Sequence, residues 1–520
     1  MQAEGPLDPA PVLTPGVVNE NNSKKILFDN THGQTAGAAD WVIDGAFFDF
    51  GHALADEGYY VTELRKSTPI TLSDLQDYAV FVIGEANIPY QTSEQQAMLQ
   101  YVQNGGSIFF IGDHYNADRN KNRWDANEVF NGYRRGAWTD PAQGMGTEER
   151  NSAVMQNVAS SDWLGNNFGI RFRYNALGDI TANNVVPPSE AFGITTGVST
   201  VAMHAGSTLA IVDPNRAKGI VYLPNTNVKW GNAVDQGVYN GGGINEGPYV
   251  AISKAGSGKA AFIGDSSPVE DATPKYLREE NGAAKKTYDG FKEQDDGTLL
   301  VNLVEWLAEP ESYTSFDQLS GFTPSPVTQL LPMEDPQTST EPVPEPWAAP
   351  AAGYKWWDSS TFKPGSYGTA STTPNPGQAY EDFETGTKAA YAAGNVTLAS
   401  GSWNLDNALL GNTTSDKKLG SQSVRARAAG AITMNFDVSN VTTVRISHAN
   451  YSTDTGAQWK LQKSVNGGQS WQDVSSLQSS TASLQEQSFA VNQTGNVRFK
   501  IVVAGTSGKR LNFDNITFDN

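Results

Sequence analysis

A doubly wound, mostly parallel α/β sheet with a large insertion, followed by a separate all-β sandwich, is the fold class this sequence predicts. Three observations predict it. Between residues 23 and 138, apolar runs of strand length alternate with segments of helical spacing. Several of those runs, Ser107–Ile111 above all, are apolar throughout and fit strands covered on both faces. Beyond a Pro-, Ser- and Thr-rich stretch the pattern changes to short alternating strands between turns.

The elements follow in order. Residues 1–22 are Pro-rich and polar and read as a disordered lead-in. Lys24–Asp29 is a first strand, running into Asp29-Asn30-Thr31-His32-Gly33. Ala38–Glu57 has helical spacing (Trp41, Val42, Phe48), and Gly58 stops it. Tyr59–Leu64 is a strand, Leu72–Tyr78 a short helix, and Ala79–Ile83 a buried strand ending in Gly84-Glu85. Ser93, with Gln96 at the capping-box position, opens a helix to Gln103. The central strand Ser107–Ile111 stops at Gly112, and Asp113-His114-Tyr115-Asn116 follow. Residues 139–255 are an insertion with strands at Gly169–Tyr174, Thr208–Val212 and Gly219–Leu223. Lys259–Ile263 returns to the sheet, ending in Gly264-Asp265-Ser266-Ser267, and Asp295–Leu307 is the closing helix of a domain spanning 23–313. Residues 314–377 have linker composition, densest in Pro from 323 on, and 378–520 form the sandwich.

A chain of 520 residues has room for two or three domains. The absence of cysteine excludes disulfides, thiolate metal sites and a Cys nucleophile. No apolar run is long enough to span a bilayer. Few lysines, abundant Asn, Gly, Ser and Thr, and the appended β-module favour a secreted protein whose signal peptide is not in this sequence. The net charge is -20, yet residues 376–520 carry 12 Lys+Arg against 11 Asp+Glu, so the body carries -21. So acidic a body argues against broad coating of nucleic acid, though not against one short basic track.

Two resemblances rest on particular motifs. Strands ending in Asp29, Glu85, Asp113 and Asp265, with the terminal GDSS…TLLVNLVEWL pattern, make residues 24–310 resemble the class I glutamine-amidotransferase-like fold. The closer likeness is to its uncharacterised branch, with D-x-x-H-G after the first strand and G-D-S before the last helix. Members with amidotransferase activity carry a Cys after the central strand. Here that turn is Gly112-Asp113-His114, so their chemistry is excluded. The stretches YEDFETGTKAAYAAGNVTLASGSWNLDNALLG, KKLGSQSVRAR and RLNFDNITF resemble a β-sandwich module appended to secreted bacterial nucleases and related hydrolases. That likeness implies an extracellular setting and polymer hydrolysis.

In open α/β sheets ligands bind outside the carboxyl ends of the strands. Asp29, His32, Glu85, Asp113, His114 and Asp265 would share that edge, giving catalytic candidates Asp113, His114, Asp29, His32 and Asp265. Carboxylates and imidazoles without thiolates suit Zn, Mn, Mg or Ca, with Asp29, His32, Asp113 and His114 as the expected ligands. Metal-free acid–base chemistry by His114 with Asp113 or Asp29 is the alternative. Ser266 reads as a helix N-cap, and His52 and His448 as structural. Arg119 and Arg123, with Trp124, Tyr115 and Glu85, would hold substrate, the arginines binding phosphate and the rings stacking on bases or sugars. The leading expectation is a secreted, metal-dependent hydrolase of an extracellular polymer, preferentially nucleic acid. A glycan-active hydrolase on the same site and a non-catalytic extracellular binding protein are the alternatives.

Overall fold

The computed structural model describes every residue except 1–3, 229, 231–238, 341–347, 370–378 and 520, and divides into two compact units, Met1–Ser371 and Thr372–Asn520. A nine-stranded sheet organises the first. Its order is Val12–Leu13, Tyr60–Leu64, Lys25–Asp29, Val80–Gly84, Ser107–Ile111, Gly258–Ile263, Val250–Ala255, Ala217–Tyr222, Asn184–Val185. The four pairings from Tyr60–Leu64 through Gly258–Ile263 are parallel. The four outside them are antiparallel.

The expected doubly wound, mostly parallel sheet is thereby corrected to a mixed sheet in a chain richer in strand than in helix. Among the described residues, 29% are in strands and 16% in helices. The cause is connection length. Parallel neighbours need a crossover of a dozen or more residues, whereas Val250–Ala255 and Gly258–Ile263 are separated by a two-residue turn and must run antiparallel. The insertion contributes Val250–Ala255, Ala217–Tyr222 and Asn184–Val185 to this antiparallel half.

Side chains alternate across each central strand, which decides where the site residues go. Phe28, Val82, Ile111 and Ile263 face the helices Phe48–Asp56 and Asp296–Ala308 in one buried core. Leu27, Ile83, Phe110 and Phe262 face the helix Thr92–Gln103 in another. The first of these helices begins later than its apolar spacing suggests. Asp40 holds the preceding residues in turns, accepting from the backbone N–H of Lys275 (2.6 Å) and Tyr276 (2.8 Å) and pairing with buried Lys285.

Two segments expected to be loosely held are structured. In the lead-in, Val12–Leu13 pairs with the edge strand and Glu4 lies 2.6 Å from Arg65, so exposed backbone at the sheet edge is covered. In the expected linker, Glu334 binds buried Arg173 (2.7 and 2.8 Å). Farther along, Trp356 is buried and donates its indole N–H to Glu149 (2.8 Å), and the Tyr354 hydroxyl donates to Glu279 (3.3 Å). Proline-rich composition here marks an extended strap anchored by aromatic residues; its 341–347 and 370–377 portions lie outside the described residues.

The second unit is a ten-stranded antiparallel sandwich. Its longest strand, Gln485–Gly505, pairs with Val438–Asn450, Ala457–Ser464 and Ser423–Met434, and the layers close on Trp403, Trp459 and Phe513.

Candidate functional site

The parallel register brings the strand ends together: Ile111 is level with Gly84 on one side and Ile263 on the other. The expected residues nevertheless separate into two clusters. By the alternation above, Asp113 and Asp265 continue the Ile111 and Ile263 face, whereas Asp29 continues the Leu27 face. Glu85 would follow Ile83 to the Asp29 side, but its left-handed backbone (φ 26°) turns it to Asp113.

The Asp113 cluster is a closed ion network. Arg119 donates to Glu85 (2.7 Å) and also binds Asp113. The Ser266 hydroxyl bridges Glu85 (2.9 Å) and Glu270 (3.0 Å), so Ser266 holds the N-cap position of the short turn that follows without its side chain capping it. Glu270 accepts the Trp41 indole N–H (2.7 Å), and Asp265 accepts the backbone N–H of His204 (2.6 Å) and Ser267 (2.9 Å). Burial and the Asp113 charge hold Asp265 well above the usual carboxylate range. Burial likewise raises Glu85, against the opposing pull of Arg119. Asp113 is lowered: burial would raise it, but Arg119 and His114 outweigh that.

The basic track expected to hold substrate is spent inside the body. Arg119 closes the network just described. Tyr115 is buried against Tyr174, and the Arg135 guanidinium lies 5.3 Å from both rings. Trp124 is fully buried in the core and offers no ring to a substrate. Arg123 is half-buried, with its guanidinium against Gly144 and its backbone N–H on Asp118 (2.6 Å). His114 donates Nδ1–H to the Tyr115 carbonyl (2.7 Å) and packs on Trp230, and burial lowers its pKa. These are corrections to the substrate-binding expectation, with one cause: the segment Asp113–Arg135 folds inward and spends most of its charged and aromatic groups on internal contacts.

The second cluster borders a cleft. The His32 Nδ1 lies 3.2 Å from Asp29 and 2.7 Å from the Thr31 hydroxyl, and Nε2 lies 3.4 Å from Glu94. Tyr90 stacks on the imidazole (3.8 Å between centroids) and donates its hydroxyl to Asp29 (2.7 Å). Burial works to lower the His32 pKa, but Glu94 and Asp29 outweigh it and push it up to about 10, so the ring is an imidazolium at neutral pH. Glu94 was missed in the sequence, where Ser93 and Gln96 looked like the capping pair. The helix instead starts at Thr92, and Glu94 accepts the Gln91 backbone N–H (2.8 Å) while reaching His32.

The cleft measures about 510 Å3 and lies wholly within the first unit. Asn30, Thr31, His32, Gln91 and Glu94 supply polar groups. Trp356, Trp357, Phe362 and Tyr367, all from the strap, line it with Ile88 and Pro89. Two polar atoms of lining residues, the Tyr367 hydroxyl and Asn120 Oδ1, are buried without a protein hydrogen-bond partner. The four aromatic residues were read as linker because Pro and Ser dominate their neighbourhood; the WW pair at 356–357 was the available signal.

The expected metal ligands do not converge. Asp29 and His32 belong to one cluster, Asp113 and His114 to the other, and among the described residues no group of three or more His, Asp or Glu is placed to hold a metal ion. His204 sits near the surface between Glu293 (2.7 Å) and Asp179 (3.2 Å), and His448 packs on Trp459. No helix is long and apolar enough to cross a membrane among the described residues.

No protein-family model and no curated protein matches the chain. Among solved structures, the mmIFT52 N-terminal domain aligns over 56% of this chain and 100% of its own, at 12% identity and a TM-score of 0.35. TmCBM61, solved with β-1,4-galactotriose, aligns over 23% of this chain and 88% of its own (15% identity, TM-score 0.18). The CBM22-1 xylan-binding domain from Paenibacillus barcinonensis Xyn10C aligns over 27% and 91% (15% identity, TM-score 0.19). At these scores the likenesses assign no function.

Proposed function

We propose that this chain is an extracellular glycan-binding protein that takes its ligand in the cleft of the first unit. The observation that carries this reading is that one cleft is lined both by aromatic rings (Trp356, Trp357, Phe362, Tyr367) and by polar groups (Asn30, Thr31, His32, Glu94). A pyranose has apolar C–H faces and a rim of hydroxyls. Flat rings bury the former, and fixed donors and acceptors orient the latter. The cleft is also within the size range of small-ligand sites. A nucleic-acid ligand is disfavoured because the body is strongly acidic and Arg119, Arg134 and Arg135 are turned inward.

Trp357 is the test residue because it lines the cleft while only half-buried. Trp357→Ala should weaken binding to the best ligand of a neutral polysaccharide panel by roughly tenfold or more, as loss of an aromatic anchor does. The thermal transition should barely move. Unchanged affinity in this variant, or no binding across the panel, would count against the cleft.

One observation favours a second reading, hydrolysis of the bound glycan. Two cleft carboxyls have opposite poise: burial pushes Glu279 up to about 7, while His32 outweighs burial to lower Glu94. Such a split is how environment assigns an acid and a base. If the cleft is hydrolytic, Glu279→Gln should cut turnover roughly 10²-fold with binding retained. If it only binds, the wild type should release no reducing ends.

A further inference from the structure

The second unit gathers three arginines on one face and leaves one of them without a carboxylate partner among the described residues. In the antiparallel pair Ser423–Met434 and Arg510–Asp519, Arg427 is directly opposite Arg510, and Arg425 is two residues along the same strand face. Their guanidiniums are laid on tyrosine rings. Arg427 lies 3.5 Å from the Tyr391 centroid, and Tyr451 carries Arg425 at 4.5 Å and Arg510 at 4.1 Å. Arg425 and Arg510 are each fixed by a carboxylate, Asp416 (2.7 Å) and Asp454 (2.7 Å). Arg427 has none: among the described residues no Asp or Glu pairs with it, and it is half-buried, neither released into solvent nor neutralised.

Like charges so close repel, so a sequence that only needed to cover this face would not gather them. Two arginines are held in place by acids and rings, and a third stands between them with its N–H fork uncommitted. The backbone positions that carry them are about 6.7 Å apart along the strand and about 5 Å apart across the pair. We propose that this face is a binding site for an acidic glycan, a chain whose sugars carry carboxylates. A carboxylate is planar and accepts two parallel N–H bonds from one guanidinium, which is the geometry Arg427 offers. Single-stranded nucleic acid suits it less, because the ring faces on which bases would stack already carry guanidiniums. This site is separate from the cleft and does not rest on it.

The test uses the whole chain and three probes: polygalacturonate, its fully methyl-esterified counterpart, and a single-stranded DNA oligomer. Polygalacturonate should bind, more weakly as salt rises, and the ester and the DNA should each bind about tenfold or more weakly. Arg427→Glu should lose about tenfold or more of the polygalacturonate affinity with an unchanged circular dichroism spectrum, and Trp357→Ala should keep it. Should Arg427→Glu fold poorly, Arg427→Gln removes the charge with less disturbance and should show a smaller loss in the same direction. No binding to polygalacturonate, preference for DNA, or wild-type affinity in the Arg427 variants would overturn the proposal. Loss in Trp357→Ala with none in the Arg427 variants would assign the polymer to the cleft and overturn it equally.

Discussion

Arg119→Met should destabilise the first unit by about 3–5 kcal/mol near pH 7.5, the cost of leaving buried charge without its partner. Glu85 is fully buried and Asp113 nearly so, and Arg119 is the cation that touches both. Methionine keeps much of the stem's volume, so the loss reports charge rather than a cavity. The pH dependence distinguishes this account from simple mispacking. In the wild type the Asp113 pKa is lowered, so its stabilising contribution is present above the unfolded value and is lost as pH falls through the folded one. Glu85 is already raised in the wild type; without Arg119 both carboxyls rise further, so the variant loses more stability than the wild type as pH increases through those values. The gap between the proteins should therefore narrow as pH falls toward 5. Urea unfolding at pH 5 and 7.5 measures it; a deficit below 1 kcal/mol, or one independent of pH, would contradict a network held by Arg119. Replacing Glu85 by Gln in the variant should recover part of the loss.

That the Asp113 stretch holds the body together rather than a substrate bears on what the sequence could disclose. Residue types and strand ends were legible: acids and histidines do cluster where the parallel strands stop. Their sorting was not read, although the rule is elementary. Counting by twos from Leu27 to Asp29 and from Ile111 to Asp113 sends the two carboxylates to opposite faces of the sheet. Glu85 escapes that rule, because nothing in Ile83-Gly84-Glu85-Ala86 announces a left-handed glutamate. The density of charge from Arg119 to Arg135 fits a bound anion and a loop closed by its own ion pairs equally well, and residue types alone do not choose between them. Its acids, Asp118, Asp125 and Glu128, stand within the same few residues and are buried with it. The strap was lost for a different reason. Composition averages over a window, and a Pro-rich window conceals the Tyr354 and Trp356 contacts that fix it to the body. Antiparallel completion of the sheet was readable from the two-residue Gly256-Ser257 turn, which is too short for any crossover.

The cleft's charged floor makes the remaining large prediction, a loss of stability at alkaline pH that belongs to one histidine. His32 titrates near 6.5 in an unfolded chain and is raised to about 10 between Asp29 and Glu94. A group raised on folding stabilises fully below its unfolded pKa, and the contribution drains away as pH climbs to the folded one. Between pH 6.5 and 10 the first unit should thus lose on the order of 3–5 kcal/mol from this residue. Tyr90, stacked on the ring, is pushed well above its ordinary range by burial and stays neutral throughout, so it does not share the effect. Lys259 opposes it: burial lowers its pKa to about 8, which adds stability as pH rises past that value. The comparison is therefore made against His32→Gln, which retains Lys259 and lacks the imidazolium. Wild type should start the more stable at pH 6.5, since the variant leaves Asp29 and Glu94 facing each other across an amide. The difference between the two should shrink steadily to pH 10. Parallel stability curves over that interval would show that His32 is neutral in the folded protein and that the floor of the cleft carries no fixed cation for a ligand to meet.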